Sequence, residues 1–167
     1  MKWVAISGSW AITSKEMERD VRRHVRNILT KGDGIVTGGA LNVDSFATDE
    51  AIKIDPKCKL IKIYLPTTLK IYSAHYRKRA EDLIAQLEFV EKANPKAIIE
   101  NEVNKIVDKT TYFERNMEIV KVSDKLYVFH AIESTGGGTT DAIEKAKKLG
   151  IPVKRFNYKV GVTSSHS

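Results

Sequence analysis

Ser134-Thr135-Gly136-Gly137-Gly138-Thr139-Thr140-Asp141 lies between an apolar, strand-like run, Leu126 to His130, and an amphipathic stretch that ends at Gly150. Glycines without Cβ let a ligand approach the main chain, and the free N–H groups that open a helix attract anions. The stretch therefore reads as a strand, a phosphate-cradling loop and a helix, although a tight βα turn needs glycines too. Moving outward, the pattern recurs: Ser7-Gly8-Ser9 follows Lys2 to Ile6, and Thr37-Gly38-Gly39-Ala40 follows Gly34 to Val36. Strands that end in small-residue loops and feed helices predict a parallel sheet covered on both faces.

The remaining elements follow from spacing. Thr13-Ser14-Lys15-Glu16 has the form of a capping box, and Met17, Val21, Val25, Ile28 and Leu29 then recur at helical intervals until Gly32 and Gly34. Asn42 is placed to cap a second helix that runs to about Ile54, with Val43, Phe46, Ala47 and Ile52 toward a sheet. Leu60 to Leu65 reads as a third strand, bounded by Pro56 and Pro66. An insertion over residues 66–110 interrupts the alternation, with helical patterns at Ala74 to Glu91 and Ala97 to Val107. Thr111-Tyr112-Phe113-Glu114 resembles a second capping box, and a strand at Lys125 to His130 follows. A helix from about Thr139 to Leu149 and a strand at Pro152 to Phe156 complete the pattern. The expected architecture is one Rossmann-like domain over residues 1–159. It is a three-layer α/β sandwich whose parallel sheet has about five strands in the order 3-2-1-4-5. The tail, residues 160–167, carries no apolar pattern and is expected to be disordered.

In that strand order the chain reverses direction between strands one and four, and ligands of such sheets bind beyond the carboxyl ends of the strands at the reversal. The loops at Gly8, Gly38-Gly39 and Gly136-Gly138 follow neighbouring strands, so one crevice is expected to collect all three.

Composition narrows the function. The 167 residues are 42% hydrophobic and 29% charged, the balance of a single globular domain. No run approaches the roughly 20 apolar residues that span a bilayer, so a cytoplasmic protein without membrane contact is expected. Cys58 is the single cysteine, which excludes an intrachain disulfide and a multi-cysteine metal site. The four histidines are dispersed, so no metal or other cofactor is expected, a nucleotide entering only as ligand or substrate. A net charge of +7 favours anionic partners, nucleotides and nucleic acid included, without choosing among them.

With these residues in place, the chain resembles the SLOG superfamily, which groups the Rossmann-like domain of DNA-processing protein A with the Lonely Guy phosphoribohydrolases. The segments that carry the resemblance are Ile6 to Ser9, Val36 to Ala40 with Asp44, Glu114-Arg115-Asn116 leading to Ser123-Asp124, and Gly136 to Thr140 with Ala146 to Val153. The resemblance implies a nucleotide-derived ligand or a nucleic acid in the crevice, and allows a homo-oligomer. The departures discriminate. Against the Lonely Guy pattern Pro-Gly-Gly-x-Gly-Thr-x-x-Glu, Thr135 replaces the proline, Thr139 the later glycine and Ile143 the glutamate. Glu144 comes one residue late, about 100° around a helix. Against the DNA-processing pattern Ser-Gly-Gly-Ala-Arg-Gly-x-Asp, Leu41 stands where an arginine would meet a phosphate.

Candidate ligand contacts are Gly8, Ser9 and Trp10 in the first loop, Gly38, Gly39, Asn42 and Asp44 around the second, and Gly136, Gly137, Gly138, Thr139 and Thr140 in the third. Trp10 could stack on a base, or cover the sheet end. Asp44 suits ribose hydroxyls, or simple pairing with a helix dipole. Arg115 and Asn116 are candidates for phosphate recognition, the alternative being an ion pair of Arg115 with Glu114 or Glu118. Asp141 and Glu144 are the candidate acids for cleaving an N-glycosidic bond, and also pair at i,i+4 with Lys145 and Lys148. Tyr72 to Arg77 form an aromatic and basic cluster that could fold back as a lid over the crevice or equally serve as a dimer surface, and His24 reads as exposed. The leading expectation is a binding or sensor module for a nucleotide, with a phosphoribohydrolase and a nucleic-acid module as alternatives.

Overall fold

The computed structural model describes residues 1–134 and 137–161. In chain order it contains β1 (Trp3–Gly8), α1 (Lys15–Thr30), β2 (Gly34–Thr37), α2 (Val43–Ile54), β3 (Ile61–Tyr64), α3 (Leu69–Tyr76) and α4 (Glu81–Ala93). A single 3-10 turn, Pro95–Ala97, precedes β4 (Ile98–Ile99), α5 (Lys109–Lys121), β5 (Lys125–Ala131), α6 (Gly138–Lys148) and β6 (Val153–Tyr158). The strands form one sheet in the order β4-β3-β2-β1-β5-β6, with every pair parallel. The order expected from sequence stands, with β4 added at one edge.

Alternation within β1 makes the two faces. Val4 and Ile6 point to a core shared with Met17, Val21, Val25, Ile28 and Leu29 of α1 and Val43, Ala47 and Ala51 of α2. Ala5 points to a second core with Ile119 and Val120 of α5 and Ala142, Ile143 and Ala146 of α6. The α1 positions read from spacing are the buried ones.

Four local expectations are corrected. The residues Ala97 to Val107 are not a helix. The side chain of Asn94 accepts from the Lys96 amide to close the 3-10 turn, and Ile98 and Ile99 then pair with Ile63 and Tyr64. Asn101 Oδ1 next accepts the amides of Val103 and Asn104, while Thr67 Oγ1 donates to the Asn104 carbonyl at 2.6 Å. β-branched residues beside the bare edge of β3, and an asparagine that competes for main-chain bonds, override the helical spacing. The cap of α1 is Ser14 rather than Thr13, its hydroxyl accepting from the Met17 amide. The box of α5 is Asp108 with Thr111, three residues upstream of the expected one. Finally, His24 is half-buried rather than exposed, its ring 4.7 Å from that of Phe156 and 5.6 Å from that of Phe129.

Candidate functional site

The loops after β1, β2 and β5 meet at the carboxyl end of the sheet. Ser9 is buried, and its hydroxyl accepts from the Ala131 amide at 2.8 Å and bonds Ser134 Oγ at 3.1 Å, which joins the first loop to the third. Asn42 Nδ2 donates to the Trp10 carbonyl, which joins the first loop to the second. Asn42 therefore occupies the cap position of α2 with its side chain turned elsewhere, at φ 63 and without a side-chain cap bond. Gly8 closes β1 against its neighbour: a Cβ there would lie 2.1 Å from the Phe129 carbonyl oxygen and 2.9 Å from Val43. Close packing alone accounts for that glycine.

Asp44 turns inward. Its Oδ2 accepts the amides of Gly38 at 3.1 Å and Ala40 at 3.2 Å, so this oxygen holds the second loop in place. Burial pushes its carboxyl above the ordinary carboxylate range, against the opposing pull of Arg115 and the two amides.

Arg115 and Asn116, from the second turn of α5, reach the crevice from the other side. Arg115 Nη1 donates to the Gly38 carbonyl and Nε to Asn116 Oδ1 at 3.3 Å, while the guanidinium lies 5.3 Å from the Tyr112 ring centre. Neither Glu114 nor Glu118 lies within ion-pairing distance of Arg115; Glu118 pairs with Lys121. Asn116 Nδ2 donates to Asp141 Oδ2 at 3.0 Å and to the Gly138 carbonyl at 3.3 Å. Lys145 Nζ completes the chain, donating to the same Asp141 oxygen and to the Phe113 carbonyl, both at 2.6 Å. A continuous polar relay thus runs from the second loop through α5 to the start of α6. Beneath Arg115 is a cavity of about 20 Å³ lined by Ser7, Gly38, Asp44 and Asn116, room for about one water.

The third loop is more open. Gly137 and Gly138 are exposed, and a Cβ on Gly138 would meet nothing within 4 Å while one on Gly137 would meet Phe113 Cζ at 3.5 Å and Lys109 Cε at 4.0 Å. Thr139 is buried and Thr140 exposed; Gly136 lies outside the described residues. Glu144 is exposed on α6, away from the relay.

The insertion does fold back. Tyr72 of α3 is buried and donates from its hydroxyl to the Gly39 carbonyl at 2.8 Å, and its ring is 4.9 Å from that of Tyr76, whose hydroxyl bonds that of Tyr112. The sequence does not single out as site residues Tyr112, whose ring lies beside Arg115, and Phe113, whose ring lies beside Lys109 and Lys145; their signal was the aromatic pair in the first turns of the helix that carries Arg115. A larger depression of about 470 Å³ between α3 and α4, lined by Leu69, Ser73, Arg77 and Glu88, shares no residue with the crevice. His130, at the end of β5, has a buried Nδ1 with no hydrogen-bond partner among the described residues, and burial and Arg155 push its pKa down. Among the described residues, no three His, Cys, Asp or Glu side chains gather to hold a metal ion, and no helix is long and apolar enough to cross a membrane.

A parallel sheet with this strand order, a glycine-lined crevice at its switch point and an arginine delivered from α5 define a Rossmann-like protein of the SLOG type. The family model of DNA recombination-mediator protein A matches residues 1–166, and the chain belongs to that family. Similar solved structures include DNA processing protein A from Helicobacter pylori, at 20% identity and a TM-score of 0.74 over 96% of this chain and 67% of that one. DNA processing protein A from Streptococcus pneumoniae matches at 20% identity and 0.67, over 96% of this chain and 52% of that one. The chain thus spans about two thirds of the first and half of the second. The molybdenum cofactor carrier protein from Chlamydomonas reinhardtii matches at 17% identity and 0.56, over 95% and 79%. At these identities the likeness is one of fold. No curated protein matches the chain in sequence.

Proposed function

We propose that this chain binds the phosphate of a nucleotide unit in the strand-end crevice, with Arg115 as the group that recognises the anion. The observation that carries this reading is the state of that guanidinium. It is half-buried at the switch point, yet its acceptors are a neutral carbonyl and a neutral carboxamide, with no carboxylate within 4.0 Å among the described residues. A phosphate offers it two charged oxygens in the fork geometry that suits a guanidinium, against the separate neutral oxygens of Gly38 and Asn116. The exposed Gly137 and Gly138 leave room for the same anion beside the first amides of α6. Binding is favoured over hydrolysis because Asp141 is engaged by Lys145 and Asn116, and Glu144 faces solvent. Ribose 5-phosphate at saturating concentration is expected to raise the melting temperature of the protein and to leave Arg115→Ala unshifted. Equal shifts in both proteins would overturn the assignment.

A second reading, that the nucleotide unit belongs to a single strand of nucleic acid, is favoured by cations seated on aromatic faces around the crevice. Arg79 lies 5.5 Å from the Tyr76 ring centre, and Lys109 and Lys145 each lie 5.4 Å from that of Phe113. Such alternation suits a strand that stacks its bases while its phosphates are neutralised. The Helicobacter pylori relative is described by its mode of binding single-stranded DNA. Affinity for an oligonucleotide that falls steeply with salt, while that for ribose 5-phosphate falls little, would select this reading.

A further inference from the structure

We infer that Trp10, with Ile132 beside it, forms a platform at the mouth of the crevice on which the nucleobase of the bound nucleotide stacks. This rests on the phosphate-binding reading and extends it to the other end of the ligand.

Trp10 is 60% exposed and Ile132 54% exposed, although both adjoin segments fixed in the interior. Ser9, immediately before Trp10, is 4% exposed and donates its amide to the Phe129 carbonyl at 3.1 Å. The carbonyl of Trp10 itself is gripped by the Asn42 carboxamide. Asn42 holds that grip at φ 63, a left-handed conformation that a non-glycine residue adopts against its preference. On the neighbouring strand, the Ala131 amide donates to Ser9 Oγ and the Ile132 amide to the Tyr158 carbonyl at 2.9 Å. Trp10 and Ile132 therefore each follow directly on an anchored residue at the ends of the neighbouring strands β1 and β5. Their backbones are held while their side chains are presented to solvent.

The surroundings say what belongs there. Among the described residues the indole of Trp10 has no ring partner, no cation over its face and no acceptor for its N–H, whereas the other indole, Trp3, carries Lys62 over its ring at 4.2 Å. Trp10 joins the loop that Asn42 ties to the second glycine loop and Ser9 ties to the third, so it borders the crevice served by Arg115. A ligand with its anion at Arg115 and a flat aromatic heterocycle on Trp10 uses both features at once. A nucleobase joined to a phosphate through a ribose has that bipartite chemistry, and stacking is tolerant of which base is offered.

The test separates the two ends of the ligand. Calorimetric titrations of the wild type, Trp10→Ala and Trp10→Phe with AMP and with ribose 5-phosphate are expected to give a loss of about tenfold in AMP affinity for Trp10→Ala. Trp10→Phe should keep most of it, and ribose 5-phosphate affinity should be the same in all three. In a Trp3→Phe background, where Trp10 is the one indole, AMP should quench the fluorescence and ribose 5-phosphate should not. If AMP binds the wild type no better than ribose 5-phosphate, or binds Trp10→Ala undiminished, the platform is overturned while the phosphate site stands. If the wild type binds neither, both readings fall.

Discussion

Replacing Gly38 by alanine tests the crevice from within. An ideal Cβ at residue 38 would stand 2.5 Å from Cζ and Nη1 of Arg115 and 2.9 Å from Nε. Such contacts open to ordinary van der Waals distance, so the guanidinium must retreat by about an ångström and give up its bond to the Gly38 carbonyl. Because the obstacle is the far end of a flexible side chain, the fold can yield there. Residue 38 does not have positive φ, so alanine takes up the backbone without strain. It also restricts the unfolded chain, worth about 0.4–1 kcal/mol of stability. A hydrogen bond from a charged donor contributes about 1.5–3 kcal/mol when fully buried. For the half-exposed Arg115, which regains water on leaving, roughly 1 kcal/mol is the better figure. The two nearly cancel, and the melting temperature should move by no more than about 4 °C for a chain of this size. Anion affinity does not cancel. A displaced fork loses one or two charge-assisted bonds to phosphate, so ribose 5-phosphate should bind about tenfold to a hundredfold more weakly. Scanning calorimetry reads the first quantity and isothermal titration the second. A stable Gly38→Ala protein with unaltered affinity would refute Arg115 as the recognising group. A fall of more than about 8 °C would instead make the Arg115 contact a structural one.

Two further outcomes concern stability and reactivity. Glu50 is almost fully buried between α1 and α2, with Arg26 at 3.0 Å, Arg22 at 3.3 Å and Lys53 at 3.8 Å. Burial alone would raise its carboxyl, but the hydrogen bonds from Arg26 and Arg22 prevail and hold it below the ordinary value of 4.5. A depressed carboxylate stabilises the fold above that value and loses the contribution as pH falls through the folded pKa. Glu50→Gln should therefore lower stability by about 1–3 kcal/mol at pH 7, a deficit that shrinks below about pH 4. Calorimetry at both pH values checks this, and an equal deficit at each would count against the ionic account. Burial, then Asp55, push the Cys58 thiol up to about 11, which leaves about a thousandth of it as thiolate at pH 8. A disulfide reagent should leave the folded protein unmodified and titrate one thiol in guanidinium chloride; rapid labelling of the folded form would contradict the buried placement.

What the sequence decided about this protein is what near neighbours in the chain decide. The spacing of Met17, Val21, Val25, Ile28 and Leu29 made one face of a helix before any partner was known. The apolar runs ending at Gly8, Gly38 and the third loop likewise announced a parallel sheet whose loops meet at its reversal. These signals are local, because helix and strand periodicity are properties of the backbone itself. Tertiary structure decided the rest. Ile98 and Ile99 became an edge strand because β3 offered an unpaired edge to β-branched residues nearby, whatever the helical spacing around them. The Tyr72 hydroxyl found Gly39 across 33 residues and Arg115 found Gly38 across 77, contacts that no window of sequence contains. Asp44, in the sequence a candidate for ribose hydroxyls or for a helix dipole, became the anchor of the second loop only when burial left Gly38 and Ala40 as its donors. Which polar groups meet is set by the packing of whole elements, since a buried donor or acceptor must find a partner wherever the fold has carried one.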